Sequence, residues 1–135
     1  MVDEQVSSRD GPLLLVEDDE VDVLTVRRAL SRLGSSRDLR VVGDGEQALE
    51  ELRTGPIAPC LVLLDLNMPR MSGLELLRAA RAEGLAVGVP VVVLTSSRRD
   101  QDILEGFELG VAAYLSKPVS AHKLGEVLGS LGQHH

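Results

Sequence analysis

Apolar positions along the chain follow two rhythms. Continuous runs at Leu13 to Val16, Leu61 to Leu64 and Val91 to Leu94 are each cut off by a polar residue, Glu17, Asp65 and Thr95. Short β-branched or Leu-rich runs of this kind read as strands buried on both faces of a parallel sheet. Strands are predicted at Leu13 to Glu17, Leu39 to Val42, Leu61 to Asp65, Val91 to Thr95 and Ala112 to Leu115. Between them the period changes to that of a helix: Val23, Val26, Leu30 and Leu33 recur at spacings of 3, 4 and 3. Ala48, Leu49 and Leu52 mark a second amphipathic stretch, and Leu124, Val127, Leu128 and Leu131 a last one. Punctuation agrees with this reading: Gly34, Gly55-Pro56, Gly84 and Gly110 stand where helices should stop. Ser72-Gly-Leu-Glu75 is a capping-box pattern that opens the third helix, and Ser97 with Asp100 opens the fourth.

Strand and helix therefore alternate five times with short connections, which predicts an α/β, doubly wound parallel sheet. Right-handed crossovers place helices on both faces. No repeat, linker or low-complexity segment interrupts the pattern. The expected organisation is a flexible tail over residues 1–11, one domain over 12–132, and a short tail over 133–135.

Composition narrows the function. The 135 residues are 44% hydrophobic, which suits one packed domain, and the formal net charge is −7. That balance argues against direct nucleic-acid binding, which needs clustered Lys and Arg. Arg27-Arg28 and Arg98-Arg99 read as solvated helix faces. No apolar stretch approaches the ~20 residues that span a bilayer, and Val2 to Gly11 is polar and acidic rather than signal-like. A cytoplasmic location is expected, with no membrane contact. The single Cys60 excludes an internal disulfide and reads as a small buried hydrophobe. His134 and His135 carry no expected metal role.

The charges that end the strands matter most. In open α/β sheets, ligands bind beyond the carboxyl ends of the strands, and Glu17, Asp18 and Asp65 all fall there. Two carboxylates 4 Å apart repel by about 4 kcal/mol at an effective dielectric of 20, so the cluster calls for a cation. All-oxygen ligands without His or Cys favour Mg²⁺. Lys117 follows the Val111 to Leu115 run and adds a fixed positive charge; Thr95 adds a hydroxyl. These parts suit an aspartyl phosphate, with an Asp carboxylate as nucleophile and the cations and hydroxyl on the phosphoryl oxygens. Asp19 and Asp22 read as helix-start charges favoured by the dipole, Phe107 as a core residue, and Gly43-Asp-Gly45 as a turn.

At this point the chain resembles the receiver domain of two-component response regulators. The resemblance rests on Leu14-Leu-Val-Glu17-Asp18, Leu64-Asp65-Leu-Asn67-Met-Pro69-Arg-Met-Ser-Gly73, Val93-Leu-Thr95-Ser96 and Tyr114-Leu-Ser-Lys117-Pro118, in the family's order across residues 12–132. It implies a flavodoxin-like five-stranded sheet of order 2-1-3-4-5 with five helices. It implies Asp65 as phosphoacceptor, and Mg²⁺ held by Asp18, Asp65 and the Asn67 carbonyl with help from Glu17. Lys117 would contact the phosphoryl group, Pro118 would follow a cis peptide bond, and Thr95 and Tyr114 would form the switch pair. Met68-Pro69 and Gly73 would shape the loop after Asp65. Two positions depart from the commonest pattern: Glu17 stands where many members have Asp, and Cys60 where many have an acidic residue.

Enzyme readings on similar architectures fit less well. A haloacid-dehalogenase-like phosphohydrolase needs a second Asp two residues after the nucleophile, and that position is Asn67. A flavodoxin-like carrier needs a hydroxyl-rich phosphate loop, where this chain has Glu17-Asp-Asp-Glu20; the GxGxxG fingerprint is absent. A non-phosphorylated interaction module leaves the acidic cluster without a purpose. The expected protein is a single-domain switch and not an enzyme acting on an external substrate, beyond catalysing its own phosphorylation and dephosphorylation. A sensor histidine kinase would phosphorylate it. The face of the fourth helix, fifth strand and fifth helix would carry the signal to a target protein, a phosphotransfer protein or a second copy as a homodimer. Leu13 to Asp19 with Leu66-Asn-Met-Pro-Arg70 is similar to regulators associated with phytochrome-type light sensors. Asn67 and Ser97 flank the expected path of water and would help set phosphate lifetime.

Overall fold

The computed structural model describes residues 11–55, 58–96 and 100–131, apart from the side chains of 100–102 and 104. Five strands, β1 (Leu13–Val16), β2 (Leu39–Val42), β3 (Leu61–Asp65), β4 (Val91–Thr95) and β5 (Ala113–Ser116), alternate with five helices. The helices are α1 (Glu20–Arg32), α2 (Gly45–Thr54), α3 (Gly73–Ala82), α4 (Asp100–Glu108) and α5 (Ala121–Ser130). All pairings are parallel, and the sheet runs β2-β1-β3-β4-β5. The expected order is found. Two strands differ in their bounds: β5 starts and ends one residue later than the pattern suggests, and β1 stops before Glu17.

Alternation along the central strands explains the three layers. Leu14, Val16, Val62, Leu64, Val91 and Val93 face one side and pack with Ala48, Leu49, Leu74, Leu77 and Ala80 of α2 and α3. Leu13, Leu15, Leu61, Leu63, Val92 and Leu94 face the other and pack with Val26, Ala29 and Leu30 of α1 and Leu124 and Leu128 of α5. Each buried Leu or Val contributes about 1.5–3 kcal/mol, so two facing cores fix the sheet rigidly. The edge strands β2 and β5 are only half-buried, which is why their apolar signal is shorter and the β5 boundary harder to read.

Helix ends follow local chemistry. Asp19 caps α1, its carboxylate accepting from the N–H groups of Val21 and Asp22. The predicted capping box is present: Ser72 Oγ accepts from Glu75 N–H, and the Glu75 carboxylate accepts from Ser72 N–H. Gly34, Gly84 and Gly110 take the left-handed conformation that ends their helices. The helix start expected at Ser97, the pair Arg98-Arg99, residues 1–10 of the N-terminal tail and the C-terminal residues 132–135 lie outside the described residues. Gly11 is buried, and its carbonyl accepts from Arg37 at 3.5 Å. Cys60 is buried, as expected. Phe107 departs from expectation: it is 54% exposed rather than in the core. It sits on the outer side of α4, where its ring meets Tyr114 at 5.4 Å between centroids.

Candidate functional site

Parallel strands deliver all their carboxyl ends to one edge, and register decides which residues meet there. Val16 pairs with Leu64, so Glu17 and Asp65 leave the sheet side by side. Leu94 pairs with Asp65, and Ser116 with Thr95. The backbone N–H of Lys117 donates to the Thr95 carbonyl at 3.0 Å, tying the end of β5 to the end of β4. The peptide bond between Lys117 and Pro118 is cis, as the motif implied.

An open cleft forms above this edge, lined by Glu17, Asp18, Asp22, Asp65, Asn67, Ser96 and Lys117 among others. Glu17, Asp65 and Thr95 are buried, whereas Asp18 and Asn67 are exposed. One oxygen from each of Glu17, Asp18 and Asp65 lies within 4.8 Å of the others. The lysine is the electrostatic counterweight. Its Nζ donates to Asp65 Oδ1 at 3.0 Å and to Asp22 Oδ2 at 2.8 Å. It also lies 2.9 Å from Glu17 Oε1. That last contact is an ion pair without hydrogen-bond geometry, and Glu17 Oε1 is left as a buried oxygen that accepts no hydrogen bond. The other Glu17 oxygen accepts from Asp19 N–H at 3.2 Å, and Asp65 Oδ1 accepts from Asn67 N–H at 3.2 Å.

Titration behaviour follows from this geometry. Burial pushes Glu17 up to about 7; Lys117 and the Asp19 N–H pull it down, and the Asp65 charge pushes it further up. For Lys117, burial alone would favour the neutral amine, but Asp22, Glu17 and Asp65 outweigh it and raise its pKa. The lysine is therefore a permanent cation.

The loop after Asp65 is shaped by close approach. Gly73 N–H donates to the Leu66 carbonyl at 3.1 Å. A Cβ on Gly73 would lie 2.5 Å from the Asp65 carbonyl oxygen, so only glycine fits. Met68 is buried and anchors the same loop. Tyr114 is half-buried against the β-sheet core, and its hydroxyl donates to the Ile103 carbonyl of α4 at 3.3 Å. A Cβ on Gly106 would fall 1.9 Å from that hydroxyl, so the tyrosine lies directly over a glycine of α4.

The structure thus brings Glu17, Asp18, Asp65 and Lys117 together, with Thr95 at the same edge and Asn67 at the cleft surface. Ser97 lies outside the described residues. One participant exceeds its expected role: Asp22 is more than a helix-start charge, since it holds Lys117. No spacing within its own segment signals this role, because its partner lies 95 residues further along the chain.

A parallel sheet of this order is a doubly wound α/β fold, and the cleft at its carboxyl edge gathers three carboxylates and a lysine. The family model for the response regulator receiver domain matches residues 13–128, and the chain belongs to that family. Receiver domains of two-component response regulators are switches that accept a phosphoryl group on an aspartate, receive it from histidine kinases and bind a divalent cation in an acidic pocket. The chain is 37% identical over 116 residues to the probable methanogenesis regulatory protein FilR2 of Methanothrix harundinacea, a match covering 83% of this chain and 75% of FilR2. It is 38% identical over 111 residues to the DNA-binding response regulator MtrA of Mycobacterium tuberculosis, covering 82% of this chain but only 46% of MtrA, about half its length. Among solved structures, the bacteriophytochrome response regulator AtBRR is 37% identical with a TM-score of 0.78, covering 93% of this chain and 94% of that one. The Mn²⁺-bound form of the response regulator Rcp1 is 34% identical with a TM-score of 0.71, covering 88% and 90%.

Proposed function

We propose that Asp65 is the phosphoacceptor of a Mg²⁺-dependent receiver switch. The observation that carries this reading is the contact of Lys117 Nζ with Asp65 Oδ1 at 3.0 Å in a cleft that also gathers Glu17 and Asp18. In the transfer, an Asp65 carboxylate oxygen attacks phosphorus. The bond from phosphorus to the donor breaks, and its electron pair leaves with the donor: a histidine ring nitrogen of a sensor kinase, or acetate from acetyl phosphate. Lys117 neutralises a phosphoryl oxygen, and Thr95, buried at the same edge, donates its hydroxyl to another.

The residues fit a hard divalent cation. Glu17, Asp18 and Asp65 supply oxygens only, and Glu17 Oε1 is buried without a hydrogen bond, which leaves it available to a ligand. Glu17, Asp18, Asp65 and the Asn67 carbonyl would hold Mg²⁺, which when bound offsets the carboxylate repulsion and the charge of the phosphoryl group. The Mn²⁺-bound form of Rcp1 supports divalent-cation binding by this fold.

Phosphorylation adds about 1.5–2 negative charges at Asp65. Thr95 moves toward them, and Tyr114 moves with it, changing the face made by α4, β5 and α5. The exposed Phe107 lies on that face and suits it to a protein target, a phosphotransfer protein or a second copy of the chain. The 37% identity to AtBRR over 93% of this chain supports a receiver domain that serves a phytochrome-type kinase. Among the described residues no helix is long and apolar enough to cross a membrane; a cytoplasmic site would keep the Cys60 thiol reduced. The test is intact-mass analysis after incubation with acetyl phosphate and Mg²⁺. One added phosphoryl group, absent without Mg²⁺ and in Asp65→Asn, is expected; its absence from the wild type would refute the reading.

A further inference from the structure

We infer that Asp22 is a positioning residue that keeps Lys117 aimed into the cleft while its other two partners change roles; this rests on the reading of Asp65 as phosphoacceptor. Lys117 Nζ has three carboxylates around it, Asp22 at 2.8 Å, Glu17 at 2.9 Å and Asp65 at 3.0 Å. They are not equivalent. Glu17 and Asp65 belong to the acidic group whose oxygens converge within 4.8 Å, and Asp22 does not. When a cation draws Glu17 and Asp65 to itself, Asp22 is the carboxylate of the three that keeps the ammonium.

Asp22 is built to stay in place. It lies in the first turn of α1, where its N–H donates to the capping Asp19. Val26, Ala29 and Leu30, four, seven and eight residues further along the same side of the helix, anchor it in the core. The carboxylate is thus fixed to a rigid element, whereas Lys117 reaches it through a flexible four-carbon stem. Holding that stem before the phosphoryl group arrives removes rotamer freedom that would otherwise be lost during transfer.

The hydrogen count on the ammonium separates positioning from competition. A lysine ammonium has three donors. Asp22 takes one and Asp65 a second, while the Glu17 contact lacks hydrogen-bond geometry. Once Glu17, 2.9 Å away, turns to a cation, the third hydrogen can reach a phosphoryl oxygen without displacing Asp22.

The experiment compares wild type, Asp22→Asn and Asp22→Glu. It reads the initial rate of phosphoryl uptake from acetyl phosphate by intact mass at saturating Mg²⁺, with Mg²⁺ affinity measured separately by calorimetry. Asp22→Asn should slow uptake about 3- to 10-fold, the range of one charge-assisted hydrogen bond. Its Mg²⁺ affinity should change by less than the rate does, because Asp22 is not one of the converging carboxylates. Asp22→Glu should regain most of the rate. Three results would overturn the inference alone: an Asn variant as fast as wild type or faster, a rate loss matched by an equal loss of Mg²⁺ affinity, or a Glu variant as slow as Asn. If the wild type itself takes up no phosphoryl group on Asp65, the proposed function fails first and this inference with it.

Discussion

Replacing Gly106 by alanine should move Tyr114 without unfolding the protein. A Cβ at 106 would stand 1.9 Å from the Tyr114 hydroxyl and 2.9 Å from Cζ, so the ring end must retreat by about 1.5 Å to reach the 3.4 Å at which ordinary contact begins. Retreat breaks the 3.3 Å hydrogen bond to the Ile103 carbonyl, a loss of about 1 kcal/mol. Against it, alanine in the body of α4 gains about 1 kcal/mol over glycine. Net stability should therefore stay within about 1 kcal/mol of wild type, while the orientation equilibrium of Tyr114 shifts by about 1–2 kcal/mol, a factor of about 5–30. The protein has one Tyr and no Trp, so intrinsic emission reports this side chain alone. The assay is tyrosine emission and its quenching by acrylamide, before and after acetyl phosphate, alongside urea unfolding. The variant should differ from wild type in quenching, and its phosphorylation-linked change should shrink. Unchanged quenching would refute the seating of Tyr114 on Gly106, and destabilisation beyond about 3 kcal/mol would show that the flexible ring end does not yield.

Three further outcomes follow from the same geometry. Glu17 titrates at about 7, so Mg²⁺ binding should release a proton near neutrality and weaken about tenfold for each step of one in pH below 7; calorimetry in buffers of different ionisation enthalpy reads this directly. In EDTA the folded protein should lose stability as pH rises from 4.5 to about 7, because Glu17 is held protonated in the fold and ionises freely in the unfolded chain. The loss is at most about 3 kcal/mol, since each tenfold difference in proton affinity between fold and unfolded chain is worth about 1.4 kcal/mol; urea titrations at pH 5 and 8 test it. The raised Lys117 also favours its protonated form, but its contribution disappears only at strongly alkaline pH and leaves this window untouched. Gly73→Ala would drive a Cβ into backbone at 2.5 Å from the Asp65 carbonyl; thermal unfolding should show a loss of about 1–3 kcal/mol, and phosphoryl uptake should slow.

Central features of the fold are legible in the sequence because they are periodic. Leu13 to Val16 and Val91 to Leu94 are buried on both faces, and continuous apolar runs encode that state unambiguously. Edge strands encode less, and β5, half-buried at Ala113 and Tyr114, lies one residue further on than its pattern suggests. The cleft's main carboxylates are legible because they terminate strands. Asp22 is not, since its role depends on where the first turn of α1 points Lys117's partner, which no spacing within one segment states. Phe107 defies its pattern because an aromatic on an amphipathic stretch is usually core. Here α4 turns it outward beside Tyr114.

Locating the phosphoryl group on a single residue tests the role of Asp65 most sharply. After incubation with acetyl phosphate and Mg²⁺, borohydride reduction of the acyl phosphate followed by peptide mass spectrometry marks the modified carboxylate. The reduced product is expected at position 65 and at no other acidic residue. Modification at Asp18 or Asp22 with Asp65 untouched, or a modified protein that keeps its phosphoryl group in Asp65→Asn, would contradict that role.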